Sequence, residues 1–263
     1  MYVIFSHMEN GARLAADSAR RDAVLLLHEQ TTASIAEIAT RFRVSEMTIR
    51  RDIRKLEDAG QAIRIPGGVR IERSFGGEKS FHERLQRMAD AKRAIGKAAA
   101  ELVRNGESVT IDSGTTTLFI ARHLRQHRDI VVFTFSLAVL EELAGCDSVR
   151  MELTGGAYRR TSHDLVGKAV EDSLSMVSAD KVFFGAAALS FRKGVMVYDR
   201  EAPRSLLDAG RERILVIDSG KIAQEAMYHF CRIERCDLII TDSGISSVNL
   251  ARLRKLRKVI VAA

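Results

Sequence analysis

The sequence predicts an α/β protein in two parts: a small N-terminal part of helices and a hairpin, followed by a larger domain built on a mostly parallel sheet. Two observations predict this fold class. The apolar spacing changes near residue 75, from a helical period to short runs rich in β-branched residues. Those runs alternate with helix-like segments, which is typical of a parallel sheet with helices on both faces. The runs begin at residues 108, 129, 149, 181, 213, 236 and 258.

The composition is that of an ordinary globular protein with a basic excess. Of 263 residues, 46% are hydrophobic and 29% are charged, and 41 Lys and Arg stand against 34 Asp and Glu. The net charge of +7 favours a polyanionic partner. The sequence has no run of about 18 apolar residues, and its opening lacks the basic start of a signal peptide. We therefore expect a cytoplasmic protein with no membrane partner.

The cysteines form neither a zinc pattern nor a disulfide framework. Cys146, Cys231 and Cys236 are odd in number and widely spaced. The histidines show no metal-ligand spacing either. We expect reduced or buried thiols, no metal site and no cofactor.

Three helical patterns open the chain. Residues 19–30 (ARRDAVLLLHEQ) and 34–42 (SIAEIATRF) place apolar side chains on one face. The third, 44–60 (VSEMTIRRDIRKLEDAG), follows after a turn of a few residues, which is helix-turn-helix spacing. Ser45 stands at its N-cap position and Gly60 at its C-terminal stop. Its apolar arc predicts the face that packs on the preceding helices and comprises Ile49, Ile53 and Leu56.

The opposite arc of the third helix is basic, and two interpretations compete. Most exposed Arg and Lys side chains are simply solvated. DNA binding is favoured because the basic arc is one-sided, with the acidic Glu57 and Asp58 at the C-terminal end of the helix. It is also favoured because residues 61–72, with Pro66-Gly67-Gly68, predict a hairpin where a winged helix carries its wing. We expect Met47, Thr48, Arg50 and Arg51 to contact bases, Arg43, Arg54, Lys55, Arg64 and Arg70 to contact phosphates, and Ser45 to begin the interface.

These residues carry a resemblance to a known family. The stretch IAEIATRFRVSEMTIRRDIRKLEDAGQAIRIPGGV resembles the winged helix-turn-helix of the DeoR family of bacterial transcriptional regulators, over about residues 17–72. The family signature is V-S-x-x-T-I-R-R-D-L-x-x-L-E, followed by a wing with two glycines. The resemblance implies a DNA-binding regulator, a repressor of a carbohydrate-catabolic operon, that binds operator double-stranded DNA as a homodimer or homotetramer.

A loop suited to phosphate follows the first β-rich run. Residues 108–124 (SVTIDSGTTTLFIARHL) read as a strand, a loop of glycine and hydroxyl residues, and a helix. Backbone N–H groups and hydroxyls of Ser113 to Thr117 would then meet an anion at the helix N-terminus. The alternative is an ordinary Asp-Ser-Gly turn that only caps the helix.

The resemblance continues over about residues 80–263, where the family carries a domain similar to ribose 5-phosphate isomerase. The blocks FHERLQRMADAKRAIGKAAAELV, DSGTTT, LTGGAYRR, ADKVFFGA and VIDSGK occur in the family's order. In the similar isomerases, the loop matching Ser113 to Thr116 holds the sugar phosphate, Glu201 matches the catalytic base, and Lys221 matches a substrate-binding lysine. The implied effector pocket comprises Asp112, Ser113, Gly114, Thr115, Thr116, Thr117, Gly185, Ala186, Ala187, Lys193, Gly194, Glu201 and Lys221.

Two positions depart from the family pattern. Ala187 stands where the family and the isomerases have an aspartate, and Phe135 stands where the family has an asparagine. The loss of a carboxylate and an amide argues against catalysis, so we expect no catalytic residues, and the usual ligand is also in doubt.

The sequence therefore predicts three regions: a winged helix-turn-helix DNA-binding domain (17–72), a linker (73–88) leading into a long helix that ends near Arg104, and a mostly parallel α/β, sugar-phosphate isomerase-like effector-sensing domain (89–263). The predicted effector is a phosphorylated sugar or sugar derivative. Two rival classes stay open, a sugar-phosphate isomerase with a DNA-binding appendage and a nonspecific DNA architectural protein.

Overall fold

The computed structural model describes residues 34–58, 62–65, 68–71 and 81–263, and the chain divides into two compact units, residues 1–74 and 75–263. Several predicted features lie outside the described residues. They are the helix at 19–30, the stop at Gly60, the Pro66-Gly67 turn and the segment 72–80.

In the first unit, two helices are joined by a short turn. Helix α1 (Ile35–Phe42) begins with a capping box, in which the Ser34 hydroxyl accepts from the Glu37 N–H and the Glu37 carboxylate accepts from the Ser34 N–H. It ends at Arg43, whose φ of 53° turns the chain towards α2 (Glu46–Asp58). The helix-turn-helix prediction is confirmed.

The core of the first unit lies between these helices. Ile38 and Ala39 of α1 are buried against Ile49 and Ile53 of α2, as the apolar arcs predict. Strands β1 (Ala62–Ile65) and β2 (Gly68–Ile71) then pair antiparallel, which confirms the predicted hairpin.

The second unit contains helices α3 to α8 and strands β3 to β14. The helices are α3 (Phe81–Gln86), α4 (Ala89–Ala100), α5 (Thr115–Leu124), α6 (Leu137–Leu143), α7 (Lys168–Ser175) and α8 (Ser247–Arg254). The strands are β3 (Ser108–Ile111), β4 (Ile130–Thr134), β5 (Val149–Leu153), β6 (Ala157–Arg159), β7 (Asp164–Val166), β8 (Ala179–Phe184), β9 (Ala188–Ser190), β10 (Gly194–Val197), β11 (Gly210–Val216), β12 (Tyr228–Cys231), β13 (Leu238–Asp242) and β14 (Lys258–Ala262).

A seven-stranded parallel sheet organises this unit. Its order is β14, β13, β11, β8, β3, β4, β5, and every neighbouring pair is parallel. All seven β-rich runs of the sequence form strands of this sheet, so the predicted fold class is confirmed. The sequence did not predict the antiparallel sheet β12-β10-β9 or the pair β6-β7.

The parallel sheet is covered on both faces. On β8, Phe183 enters the core shared with α4 and α5, whereas Val182 and Phe184 enter the opposite core. Residues of α7 and of the β12-β10-β9 sheet cover that second core. The buried Cys231 and Cys236 belong to it and carry free thiols.

The prediction of one long helix that ends near Arg104 was wrong in two respects. Met88 has a left-handed φ of 54°, which separates α3 from α4, and α4 ends at Ala100. The apolar spacing continues across Met88, so periodicity alone did not reveal the break.

Helices α4 and α5 approach closely at one glycine. A Cβ atom added to Gly96 would lie 2.6 Å from the backbone carbon of Phe119. One turn before Gly96 stands Lys92, and one turn before Phe119 stands Thr115. Since both helices run from the carboxyl edge of the sheet, this contact brings the first turn of α5 beside Lys92.

We expect Gly96→Ala to lower the free energy of unfolding by about 1–3 kcal/mol, because the methyl group overpacks the helix contact. At a helix position with free space around it, replacing glycine by alanine would instead raise the free energy of unfolding by about 1 kcal/mol. Urea denaturation measures the difference. Gly145→Ala is the matched control, since no atom lies within 4 Å of its added Cβ. A stabilised Gly96→Ala variant would contradict the close approach.

Candidate functional site

The second helix of the helix-turn-helix presents a polar, basic outer face. The Thr48 N–H donates to the Ser45 hydroxyl at 3.2 Å, so Ser45 caps α2 as predicted. Met47 is 75% exposed, and the side chains of Arg50, Arg51 and Arg54 are also exposed. The basic arc therefore faces away from the core of its unit.

Arg50 has one exposed ion pair within the helix. Its Nη2 lies 3.2 Å from Oε2 of Glu46, and both side chains are about half exposed. Such surface pairs contribute about 0–1 kcal/mol, so a DNA base or phosphate would displace Glu46 at little cost.

The remaining predicted DNA-binding residues lie on the turn between α1 and α2, on α2 itself and on the two strands of the hairpin. Arg43 forms the exposed turn between α1 and α2, and Thr48 is half-buried. Lys55 lies on α2, Arg64 on β1 and Arg70 on β2, and the side chains of these three lie outside the described part of the chain. The inner side of α2 also holds Asp52, which is fully buried and which helical periodicity did not single out.

In the second unit, a cavity of about 570 Å³ lies at the carboxyl edge of the parallel sheet. Asp112 follows β3, Gly185 follows β8 and Asp218 follows the end of β11, and all three line it. Ligands of open α/β sheets bind at this edge. Ten predicted pocket residues line the cavity: Asp112, Ser113, Gly114, Thr115, Thr116, Thr117, Gly185, Ala186, Ala187 and Lys221.

Three predicted pocket residues, Lys193, Gly194 and Glu201, are not among those that line this cavity. The Lys193 ammonium pairs with Glu225 at 2.6 Å. Gly194 has a φ of 85°, and a Cβ there would lie 2.4 Å from the Cys231 carbonyl oxygen, so this glycine permits a close backbone approach. The Glu201 side chain is exposed. In their place, Asp199 and Glu225 line the cavity.

The loop before α5 is held by its own side chains. The Thr117 hydroxyl donates to the carbonyl oxygens of Asp112 and Gly114 at 2.8 and 2.9 Å. The Ser113 hydroxyl donates to the buried Asp164 carboxylate. These bonds fix the loop. The first backbone N–H groups of α5 have no acceptor within the helix and could donate to a ligand.

Basic residues that the sequence interpretation missed also line the cavity. They are Arg84, Arg87, Lys92 and Arg159. All four belong to the blocks FHERLQRMADAKR and LTGGAYRR that carry the family resemblance, and that recurrence was the available signal. Basic residues at helical spacing are usually solvated, which is why they received no role.

Two lysines that line the cavity lie in surroundings that disfavour their positive charge. Burial lowers the pKa of Lys221, whose Nζ donates to the Ala186 carbonyl at 3.0 Å and lies 3.4 Å from Asp218. Burial and the neighbouring Lys221 lower the pKa of Lys92 to about 8. Arg84 and Arg87 lower both pKa values further. A bound anion would relieve this repulsion.

Acidic groups lie elsewhere along the cavity. Burial raises the pKa of Asp112 to about 7, and Asp164 adds to this effect. The Gly185 N–H donates to Asp112 at 2.8 Å. Arg159 donates to Asp164 at 2.7 and 2.9 Å and pairs with Asp199. Carboxylates and a held guanidinium suit the hydroxyl groups of a polar ligand.

Both departures from the family pattern lie in the cavity wall. Ala187 and Phe135 line it, so a methyl group and a phenyl ring stand where the resemblance implies an aspartate and an asparagine. The Ala187 N–H donates to the Met196 carbonyl at 2.9 Å.

Within the described part of the chain, no group of three or more His, Cys, Asp or Glu side chains is arranged to hold a metal ion. The same residues include no helix with the length and apolar character needed to cross a membrane.

Comparisons with known proteins match both units. Residues 20–75 match the family model of a DeoR-like helix-turn-helix domain, and residues 87–243 match that of the DeoR C terminal sensor domain. The HTH-type transcriptional regulator YgbI of Escherichia coli K12 is 34% identical, over 92% of this chain and 97% of its own length.

Two further similarities are to a repressor and to a solved enzyme structure. The lactose phosphotransferase system repressor of Streptococcus mutans is 30% identical, over 89% of this chain and 95% of that protein. Among solved structures, ribose 5-phosphate isomerase A of Methanocaldococcus jannaschii gives a TM-score of 0.38 at 14% identity, over 51% of this chain and 54% of that one.

We expect the affinity of the cavity for inorganic phosphate to fall severalfold as pH rises through about 8. Lys92, which faces Lys221, Asp218, Arg84 and Arg87, loses its proton in that range. Inorganic phosphate completes its own second ionisation in this range, which works against the decline and is the same for every variant of the protein.

In Lys92→Arg the side chain stays charged throughout this range. The fall in phosphate affinity near pH 8 that is due to Lys92 should therefore be absent from this variant. Lys221 titrates in both proteins, so their difference isolates Lys92. Calorimetric titrations between about pH 7 and pH 9 measure it. Identical pH profiles would contradict the role of Lys92.

Proposed function

This chain belongs to the DeoR family of helix-turn-helix transcriptional regulators, and on that premise we propose that it is a repressor of a carbohydrate-catabolic operon that responds to a phosphorylated sugar or sugar derivative. The observation that carries the proposal is the cavity. Its lining combines the N-terminus of α5 with five basic side chains and four carboxylates. That arrangement suits a phosphate joined to a polyhydroxy group.

The names of relatives support the proposal that the protein represses transcription. The Streptococcus mutans protein is named a lactose phosphotransferase system repressor. Repression released by a metabolite requires the metabolite to bind more tightly to the arrangement that does not hold operator DNA. We propose a cytoplasmic homodimer or homotetramer, because helix-turn-helix proteins commonly read paired half-sites.

The proposed division of the DNA interface follows the exposed face of α2. Met47, Thr48, Arg50 and Arg51, in its first two turns, read bases in the major groove. Arg43, Arg54, Lys55, Arg64 and Arg70 neutralise phosphates, and Ser45 fixes the N-terminus of the helix that enters the groove.

The rival enzyme is not supported. Glu201 matches the isomerase base, yet its exposed side chain does not line the cavity, and Ala187 supplies no carboxylate. The chain is a family regulator rather than an enzyme. A nonspecific architectural protein would have no use for the buried, charged cavity.

We expect Arg50→Ala to reduce the preference for operator over random DNA about tenfold, since a good base contact contributes about 1–3 kcal/mol. Arg64→Ala should weaken both complexes equally and reduce the slope of log affinity against log salt by about 1. Gel-shift titrations at several salt concentrations, with DNA from upstream of the gene, measure both effects. Arg211→Ala, exposed in the second unit, is the control. Unchanged affinities in both test variants would refute the assignment.

We expect Thr115→Ala/Lys221→Ala to abolish the thermal stabilisation that an effective sugar phosphate gives the wild type. The variant loses a hydroxyl at the α5 N-terminus and a buried cation. A thermal-shift screen of pentose and hexose monophosphates finds the ligand, and release of upstream DNA tests its effect. Arg211→Ala should respond like the wild type, because Arg211 does not line the cavity. Undiminished ligand binding by the double variant would show that the ligand binds at another site.

A further inference from the structure

One wall of the cavity is continuous with the second apolar core of its unit. Five residues that line the cavity either belong to that core or pack against it, and they are Phe135, Ala186, Val197, Ala202 and Phe230. The two phenylalanines are buried, whereas the two alanines and Val197 are half-buried. The half-buried members therefore expose apolar surface to a bound molecule. Together with the half-buried Ala187, which also lines the cavity, the five residues form the apolar wall.

Several backbone polar groups of the apolar wall are already engaged within the protein. The Ala187 N–H donates to the Met196 carbonyl at 2.9 Å, and the Phe135 carbonyl accepts from a backbone N–H at 2.9 Å. The Phe230 carbonyl accepts from the Arg204 guanidinium at 2.6 Å. A ligand hydroxyl placed against this wall would lose its hydrogen bonds to water and gain few in return, which costs free energy.

Two positions make the wall more apolar than the family pattern. Ala187 and Phe135 stand where the resemblance implies an aspartate and an asparagine. A carboxylate and an amide there would accept hydrogen bonds from sugar hydroxyl groups, whereas a methyl group and a phenyl ring contact carbon atoms. The part of the ligand that meets this wall should therefore differ from the polyhydroxy group that the family pattern suits.

Polar groups elsewhere in the lining limit the apolar wall to one part of the cavity. Tyr198 and Asp199 directly follow Val197 and return polar groups to the lining, and the N-terminus of α5 lines the same cavity. The cavity volume of about 570 Å³ lies within the range of about 300–1,000 Å³ that is typical of small-molecule sites. The lining thus fits a small molecule that has both an anionic part and a short apolar part.

We propose that the apolar wall binds a short alkyl or acyl substituent of the effector, so that the effector is a phosphorylated sugar derivative carrying such a group rather than a plain sugar phosphate. The inference deepens the proposed function and rests on it for the phosphorylated part of the ligand. Ala187 is the specificity-determining residue, because it is half-buried in the wall and replaces a carboxylate of the family pattern.

The test uses the full-length protein and a series of straight-chain phosphate monoesters, from methyl through propyl to pentyl phosphate. Calorimetry at constant pH and ionic strength measures their affinities. We expect the affinity to rise by up to about fourfold for each CH₂ group that the wall buries. In the screen of sugar phosphates, the deoxy or acylated member of a matched pair should likewise bind more tightly than the member with a free hydroxyl group.

Ala187→Asn places an amide in the wall and should lose most of the increase in affinity with chain length. Ala187→Ser is the milder variant, which adds a single hydroxyl group and should lose part of the increase. Ala251→Asn is the matched control, because Ala251 is an exposed alanine of α8 that does not line the cavity. It should keep the dependence on chain length of the wild type, and circular dichroism verifies that each variant is folded.

Four results would overturn the inference: no binding of any of the monoesters by the wild type, equal affinities for methyl and pentyl phosphate, the same dependence on chain length in all three variants, or tighter binding of the hydroxyl member of the matched sugar pairs. The proposed function fails separately, if no sugar phosphate releases wild-type protein from upstream DNA. An increase with chain length that depends on Ala187 supports the apolar wall even then.

Discussion

Burial of the parallel sheet on both faces is the constraint on which the rest of the sensor unit depends. Strands covered by two cores carry mostly apolar side chains in their interior, with exceptions such as the buried Thr110 and Thr134, and many charged groups therefore lie where the strands end. Asp112, Gly185 and Asp218 follow neighbouring parts of the sheet and meet at one edge. The cavity is therefore a product of topology, and the helix that starts there contributes its N–H groups without any further specialisation.

The charges around this edge fit the proposed anionic ligand. Lys92 and Lys221 are held close to each other and to two arginines, at a cost visible in their lowered pKa values. Asp218, 3.4 Å from Lys221, offsets part of this positive charge. Under the proposed function, a bound anion would supply further negative charge, and the free energy of relieving the repulsion would become part of its affinity.

Sequence reasoning found elements with strong patterns and missed those without. Periodicity predicted the seven β-branched runs and the apolar arc through Ile49 and Ile53. These predictions succeeded because the cores bury the same apolar side chains that create the periodicity. Strands β9, β10 and β12 have only three or four residues each, too few to show alternation. Neither pattern nor resemblance could tell that Asp199 lines the cavity while its neighbour Glu201 does not, because that depends on how the loop between them turns. Arg84 and Arg87 were missed because only their cationic neighbours distinguish them from solvated residues.

The methyl and phenyl groups of Ala187 and Phe135 bear on discrimination between metabolites. A site that hydrogen-bonds a hydroxyl rejects an analogue without it by about 10⁴-fold or more, whereas an apolar wall separates such pairs by only about 10²-fold. At this part of the cavity, selection rests on size and shape. If the proposed sugar-phosphate effector binds here, deoxy and substituted analogues would be tolerated at this wall, and two side chains far from the DNA-binding helix in sequence would set the range of signals that the regulator answers.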